Sequence, residues 1–156
     1  MGAASVIPEW NGPGTVKLIL IDSNGRPAND HICQEVYEYI IHPEDRLQRK
    51  APIGAILTVS APDLVTVSYS ATVELQVGYS LETVKAEFEK NLLAYYDEAL
   101  KDGEVKYTRT ASVLSDTAGV NDYADFLMNG DTRNIGIHTN EFPVTENITL
   151  ASGVVE

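Results

Sequence analysis

Three histidines, one cysteine and a surplus of carboxylates are the groups in this 156-residue chain that could do chemistry. A serine hydrolase needs its nucleophile on a strained turn beside oxyanion donors, but no G-x-S-x-G occurs, and His31, His42 and His138 lie far apart in sequence. They read as surface or capping residues. The carboxylate pairs Asp122 with Asp125 and Glu141 with Glu146 are what any chain this acidic contains, and nothing marks either for acid-base work. Asp22-Ser23-Asn24-Gly25-Arg26-Pro27 invites a calcium reading. An EF-hand loop counted from Asp22, however, needs glycine where Pro27 stands and glutamate where Cys33 stands. Asn11-Gly12-Pro13-Gly14 precedes a strand instead of following one and lacks the lysine of a phosphate loop. The residues therefore offer no catalytic, cofactor-binding or metal site, and read alone they give a fold and no activity.

Charge narrows the partners. Lys+Arg 11 against Asp+Glu 23 gives a net charge of −12, unsuited to neutralising phosphates, so nucleic acid is not an expected partner. No apolar run is long enough to span a bilayer, so no membrane insertion is expected either. Cys33 has no second thiol for a disulfide or a zinc site and reads as a small core residue. Met1-Gly2 lacks the hydroxyl residue that myristoylation wants at position six, where Val6 stands. Asn147-Ile148-Thr149 reads as a chance sequon. What remains are contact residues. Trp10 suits a partner anchor, although folding back onto the domain's own core is the commoner fate of such a residue. Arg46, Arg49 and Lys50 form the basic cluster of an acidic chain, in a loop that is solvated by default. Phe142 joins Trp10 and Tyr107 as aromatics that would make a carbohydrate or receptor platform if they converged.

The elements that must position these residues are organised around 65–79. There Val65, Val67, Tyr69, Ala71, Val73, Leu75, Val77 and Tyr79 alternate with polar residues or glycine, the period of a half-buried strand. Before it, 1–14 reads as an extended lead-in segment. Residues 15–22 form an apolar strand, and a helix capped by Asn29 or Asp30 carries Ile32, Val36, Tyr39 and Ile40 and stops at His42-Pro43; a strand at 55–60 follows. After it, Ser80 caps a long helix with the stripe Leu81, Val84, Phe88, Leu92, Tyr95 and Ala99, closed at Asp102-Gly103. Thr108 or Thr110 opens a brief helix ending at Gly119, then 120–128 and 134–138 read as a hairpin around Asn129-Gly130-Asp131. A last extended piece spans 147–150, and 151–156 reads as a tail. The pattern predicts one α+β domain over 15–150: a mixed or antiparallel sheet with helices on one face. It is a split βαβ, ferredoxin-like layout with an extra helix and hairpin, the first strand lying beside the long one.

Several fragments, taken in order, carry a resemblance. Trp10-Asn11-Gly12-Pro13-Gly14-Thr15-Val16 opens a strand, Arg49-Lys50-Ala51-Pro52-Ile53-Gly54 precedes the next, and the long strand closes in Gly78-Tyr79. Gly119-Val120-Asn121-Asp122-Tyr123, Asn134-Ile135 and Phe142-Pro143 continue the series. Together they resemble the C-terminal part of the baseplate J-like proteins of contractile-tailed phages and prophages. The resemblance implies a structural, wedge-type component of a tail baseplate that works through protein-protein contacts, with no enzymatic activity and no cofactor. It would sit in the virion tail after assembly in the bacterial cytoplasm. It also implies a longer family protein of which this chain lacks the N-terminal portion. The expected partners are other baseplate or tail subunits in a homo- or hetero-oligomeric assembly. Alone, the chain should be a monomer or weak oligomer, because its charge opposes self-association. The rival reading is a receptor- or carbohydrate-binding module.

Overall fold

A computed structural model describes residues 2–155, with three α-helices and eight strands in mixed and antiparallel sheets, an α+β architecture. The chain divides into two compact units, Met1–Asp63 and Leu64–Glu156. The expected single domain over 15–150 gives way to these two, because the elements sort into separate sheets with separate cores.

In the first unit, β1 (Ala3–Pro8), β2 (Thr15–Ile21) and β3 (Ile56–Ser60) form a sheet in that order, β1 antiparallel and β3 parallel to β2. The first predicted strand thus lies between β1 and β3, not beside the long strand. The lead-in segment is also a correction: residues 3–8 pair with Val16–Ile21 of β2, and Pro8 falls at the strand's end, where a missing donor costs least. A knot of hydrogen bonds turns β1 into β2. Thr15 Oγ1 donates to Gly12 O at 2.6 Å and accepts from Asn11 N at 3.1 Å, which gives the Trp10–Thr15 motif a structural role. α1 (Asp30–Ile41) starts where Asn29 Oδ1 accepts from Ile32 N at 2.9 Å and ends at His42, left-handed at φ 45°. It lays Ile32, Cys33 and Val36 on Leu18, Leu20 and Val59. Tyr39 is 62% exposed and leaves that stripe, because its ring carries the Lys50 ammonium at 3.6 Å instead.

The turn after β2 has an electrostatic consequence. Asp22 Oδ1 accepts from Arg26 N at 2.9 Å and from Asn24 N at 2.8 Å, and these donors, Arg26 first, hold the carboxyl below the usual carboxylate range. A lowered carboxyl contributes stability that is present above its unfolded pKa and lost as pH falls through the folded one. Asp22→Asn keeps the acceptor but cannot titrate. Its stability relative to the native chain is therefore expected to improve as pH drops below about 4. A difference between the two that does not change with pH, in denaturant melts, would remove Asp22 from the acid response.

In the second unit, β4 (Asp63–Leu75) is the central strand, flanked by β6 (Val120–Met128) and β8 (Glu141–Ser152). Its inward residues Val67, Tyr69, Ala71 and Val73 are buried against α2 (Leu81–Asp102), which contributes Val84, Phe88, Leu92, Tyr95, Tyr96 and Ala99. Ser80 caps α2 by accepting from Thr83 N at 3.3 Å, and Gly103 closes it in the left-handed region at φ 74°. The long strand stops at Leu75, short of the predicted Tyr79. There Gln76 N donates to Gly119 O at 2.9 Å and the chain turns, leaving Val77 fully exposed.

α3 (Tyr107–Ser115) begins with no side-chain cap; Thr110 is buried inside it, its hydroxyl donating to Tyr107 O at 2.8 Å. The predicted hairpin is not formed. β7 (Ile135–Gly136) pairs with β5 (Glu104–Val105), while β6 pairs with β4 and is extended by Asn129, which exchanges hydrogen bonds with Ser68. Asn129 sits at φ 53° in a tight turn across which Met128 and Asp131 exchange backbone hydrogen bonds, but the return goes no further along β6. The tail is likewise shorter than expected: β8 runs to Ser152, and Gly153 N donates to Val73 O at 3.1 Å.

Candidate functional site

The groups with chemical potential are dispersed and already engaged. His31 is exposed beside Glu35 at 3.5 Å, His42 caps α1 with Lys50 Nζ at 3.1 Å, and the His138 backbone N–H donates to Glu141 Oε2 at 2.9 Å. Asp122 accepts from the Tyr123 N–H, and Asp125 is exposed on β6. Among the described residues, no three of His, Cys, Asp or Glu gather as a metal site. The Cys33 thiol is buried, and burial followed by the Asp30 carboxylate pushes its pKa up, which disfavours the thiolate a nucleophile needs.

The second unit's one notable polar chain is internal. Tyr69 and Tyr96 hydroxyls meet at 3.0 Å, and Tyr96 reaches Thr145 Oγ1 at 2.8 Å, linking β4, α2 and β8. Burial raises both phenol pKa values, so the hydroxyls stay neutral and serve as mutual donors and acceptors. Tyr96 lies one position off the predicted helix stripe; the only hint in the sequence is an aromatic adjacent to Tyr95 on a helix whose buried face is wide.

The contact candidates separate into two groups. Trp10 is 43% exposed with Lys17 Nζ at 5.3 Å from its ring, and Arg46 is exposed on the 3₁₀ turn Arg46–Gln48. Arg49 is committed within its own loop, donating to Ala55 O at 2.6 Å and Ala51 O at 3.3 Å. Phe142 is a correction: it is 2% exposed and cannot meet a partner, because β8 runs through it with Phe142 on an inward position. Tyr107 is half-buried, donating to Phe126 O at 2.7 Å and packing on that ring. The imagined aromatic platform thus loses two of its three members to the interior. Sequence reasoning missed the exposed aliphatics: Leu47, Ile53 and Val77 are almost wholly in water. Leu47 lies on the 3₁₀ turn and Ile53 in a loop, where the sequence offers no period; Val77 is a correction, expected inward on the alternation of 65–79 and released to water because the strand ends at Leu75.

Among the described residues these groups do not converge on one site, and comparison with known proteins supplies the family. Residues 1–61 match the model of the baseplate J-like central domain, and residues 67–151 match that of the baseplate J-like protein C-terminal domain. The first match ends just after β3 and the second begins within β4, and the two units part in the gap between them. The phage-like element PBSX protein XkdT of Bacillus subtilis is 31% identical over 92% of this chain, and the uncharacterized protein YqbT of the same organism is 33% identical over the same share. The chain spans 41% of the length of each. Among solved structures, a chain of the anti-feeding prophage baseplate, seen by cryo-EM with 6-fold symmetrisation, superimposes on 84% of this chain with a TM-score of 0.53. This chain covers 29% of that one, at 12% identity, so the likeness is one of fold. With its two units matched in order by the central and C-terminal domain models, the second over more than half of its length, the chain belongs to the baseplate J-like family.

Proposed function

We propose that this chain is part of a structural component of a phage or prophage tail baseplate, located there and acting through contacts with neighbouring subunits. The observation that carries the reading is the pair of family matches laid end to end over both units. The surface supports it: Ile53, Leu47 and Val77 hold large aliphatic side chains in water, which is costly for a free domain and useful for one that will be covered. The chain turns over no substrate in this reading. Its net charge of −12 keeps it a monomer or weak oligomer by light scattering, and lasting contacts come from assembly.

Deleting these residues from the full-length gene is expected to give lysates without complete baseplates, and hence without contractile tails, by electron microscopy. Normal tails after the deletion would overturn the structural reading. Normal tails with lost infectivity would point instead to receptor binding. Replacing His31, His42 and His138 together with Asn is expected to leave assembly intact.

A further inference from the structure

The first unit has an open groove of about 460 Å³ between α1 and β3, lined from the helix by Asp30, Cys33, Gln34 and Tyr37 and from the strand by residues 57–61. The helix residues fall at i, i+3, i+4 and i+7, one continuous face, and the strand residues are consecutive. β3 is the edge of its sheet, pairing only with β2 among the described strands. Ile56 N donates to Gly14 O at 2.8 Å, so Ile56 directs its backbone groups toward β2. By the alternation of a strand, Leu57 and Val59 direct theirs outward along the edge. An edge of this kind is a template for another strand, and here a helix fixes one wall of the slot.

Charge narrows the occupant. Asp30 is the one charged residue lining the groove, and α1 adds Glu35 and Glu38 and contains no Lys or Arg. The Ser60 hydroxyl, which also lines the groove, is buried without a hydrogen-bond partner. A second copy of so acidic a chain is disfavoured there. We propose that the groove between α1 and the outer edge of β3 receives an extended, strand-forming segment of another polypeptide bearing a Lys or Arg opposite Asp30, added to the sheet beyond β3. The proposal rests on the first unit's geometry and goes beyond the baseplate reading.

The test is amide NMR on the whole chain with two short soluble peptides of alternating Thr and Val, one ended by Lys and one by Glu. The Lys-ended peptide is expected to shift the amides of 57–61 and to slow hydrogen exchange at Leu57 and Val59, with the Glu-ended peptide about tenfold weaker. Asp30→Lys should reverse that order. Gln34→Trp, an exposed position that a bulky ring would use to fill the slot, should abolish both effects while the rest of the spectrum is kept. Amides at Leu57 and Val59 already protected in the free chain, no response of 57–61 to either peptide, an unreversed order in Asp30→Lys, or undiminished binding by Gln34→Trp would each overturn the proposal.

Discussion

Truncating Phe88 to alanine is expected to cost about 3–5 kcal/mol, enough to consume a large part of the stability of an ordinary domain. The ring is wholly buried, meets Tyr69 edge-on at 5.7 Å and Phe126 at 6.5 Å, and stands where α2 presses on β4 and β6. Its loss leaves a void that neither a strand nor a helix pinned at both ends can collapse to fill. Denaturant melts would read this as a large fall in the unfolding midpoint with little change in slope. Val77→Ala, a truncation in open water on the same unit, is expected to leave the midpoint within about 0.5 kcal/mol. A midpoint unmoved in Phe88→Ala would show that α2 does not bury its stripe.

Gly119→Ala is expected to be the second severe lesion, although it adds a single methyl group. Gly119 sits at φ 95°, where a side chain strains the backbone by roughly 1–3 kcal/mol. A Cβ there would also lie 2.4 Å from Tyr79 Cδ1 and 2.9 Å from Tyr79 Cβ. The obstruction includes the root of the tyrosine as well as its ring, so a rotation of the ring alone does not clear it. Gln76, whose N–H reaches Gly119 O at 2.9 Å and whose amide reaches Val120 O at 3.1 Å, would be dislodged with it. Tyr79→Gly in the Gly119→Ala background should recover the steric part and leave the backbone strain. If the double variant is no more stable than the single one, the clash contributes nothing.

This junction also shows what was legible in the sequence. Gly78-Tyr79 and Gly119-Val120 were visible as two separate motifs; that they form one knot is a tertiary fact no local pattern carries. The first two helices were read almost to the residue, because Asn29, Ser80 and Gly103 announce their ends through side-chain or backbone geometry that acts within one turn, whereas α3, which has no side-chain cap, ends at Ser115 and not at Gly119. Strands existed where their apolar residues said, but their partners did not. β7 looked like the return of a hairpin from β6, and only long-range pairing with β5, a strand of two residues, decides otherwise. β1 escaped notice since its sequence carries no apolar alternation and its order comes from pairing with β2. Of the contact residues, Trp10 and Arg46 could be placed at the surface, whereas Phe142 could not be told from a surface aromatic without knowing that β8 extends back to Glu141.

The central place of β4 bears on how this protein is made. Its neighbours in the sheet are β6 and β8, so at Ser70 its pairing partner is Leu127, and the other side waits for residues 141–152. On a ribosome adding roughly 5–20 residues per second, β4 spends several seconds outside the tunnel with both edges bare. The first unit has no such delay, since β1, β2 and β3 lie within the first 60 residues. What shields the nascent strand meanwhile is α2, the next element to emerge. It forms from local contacts and can lie on the apolar face of Val67, Tyr69 and Val73 before either neighbouring strand exists. A chain stalled with β4 outside the tunnel and α2 still within it would therefore be the most aggregation-prone intermediate, and one stalled after α2 has emerged a far safer one.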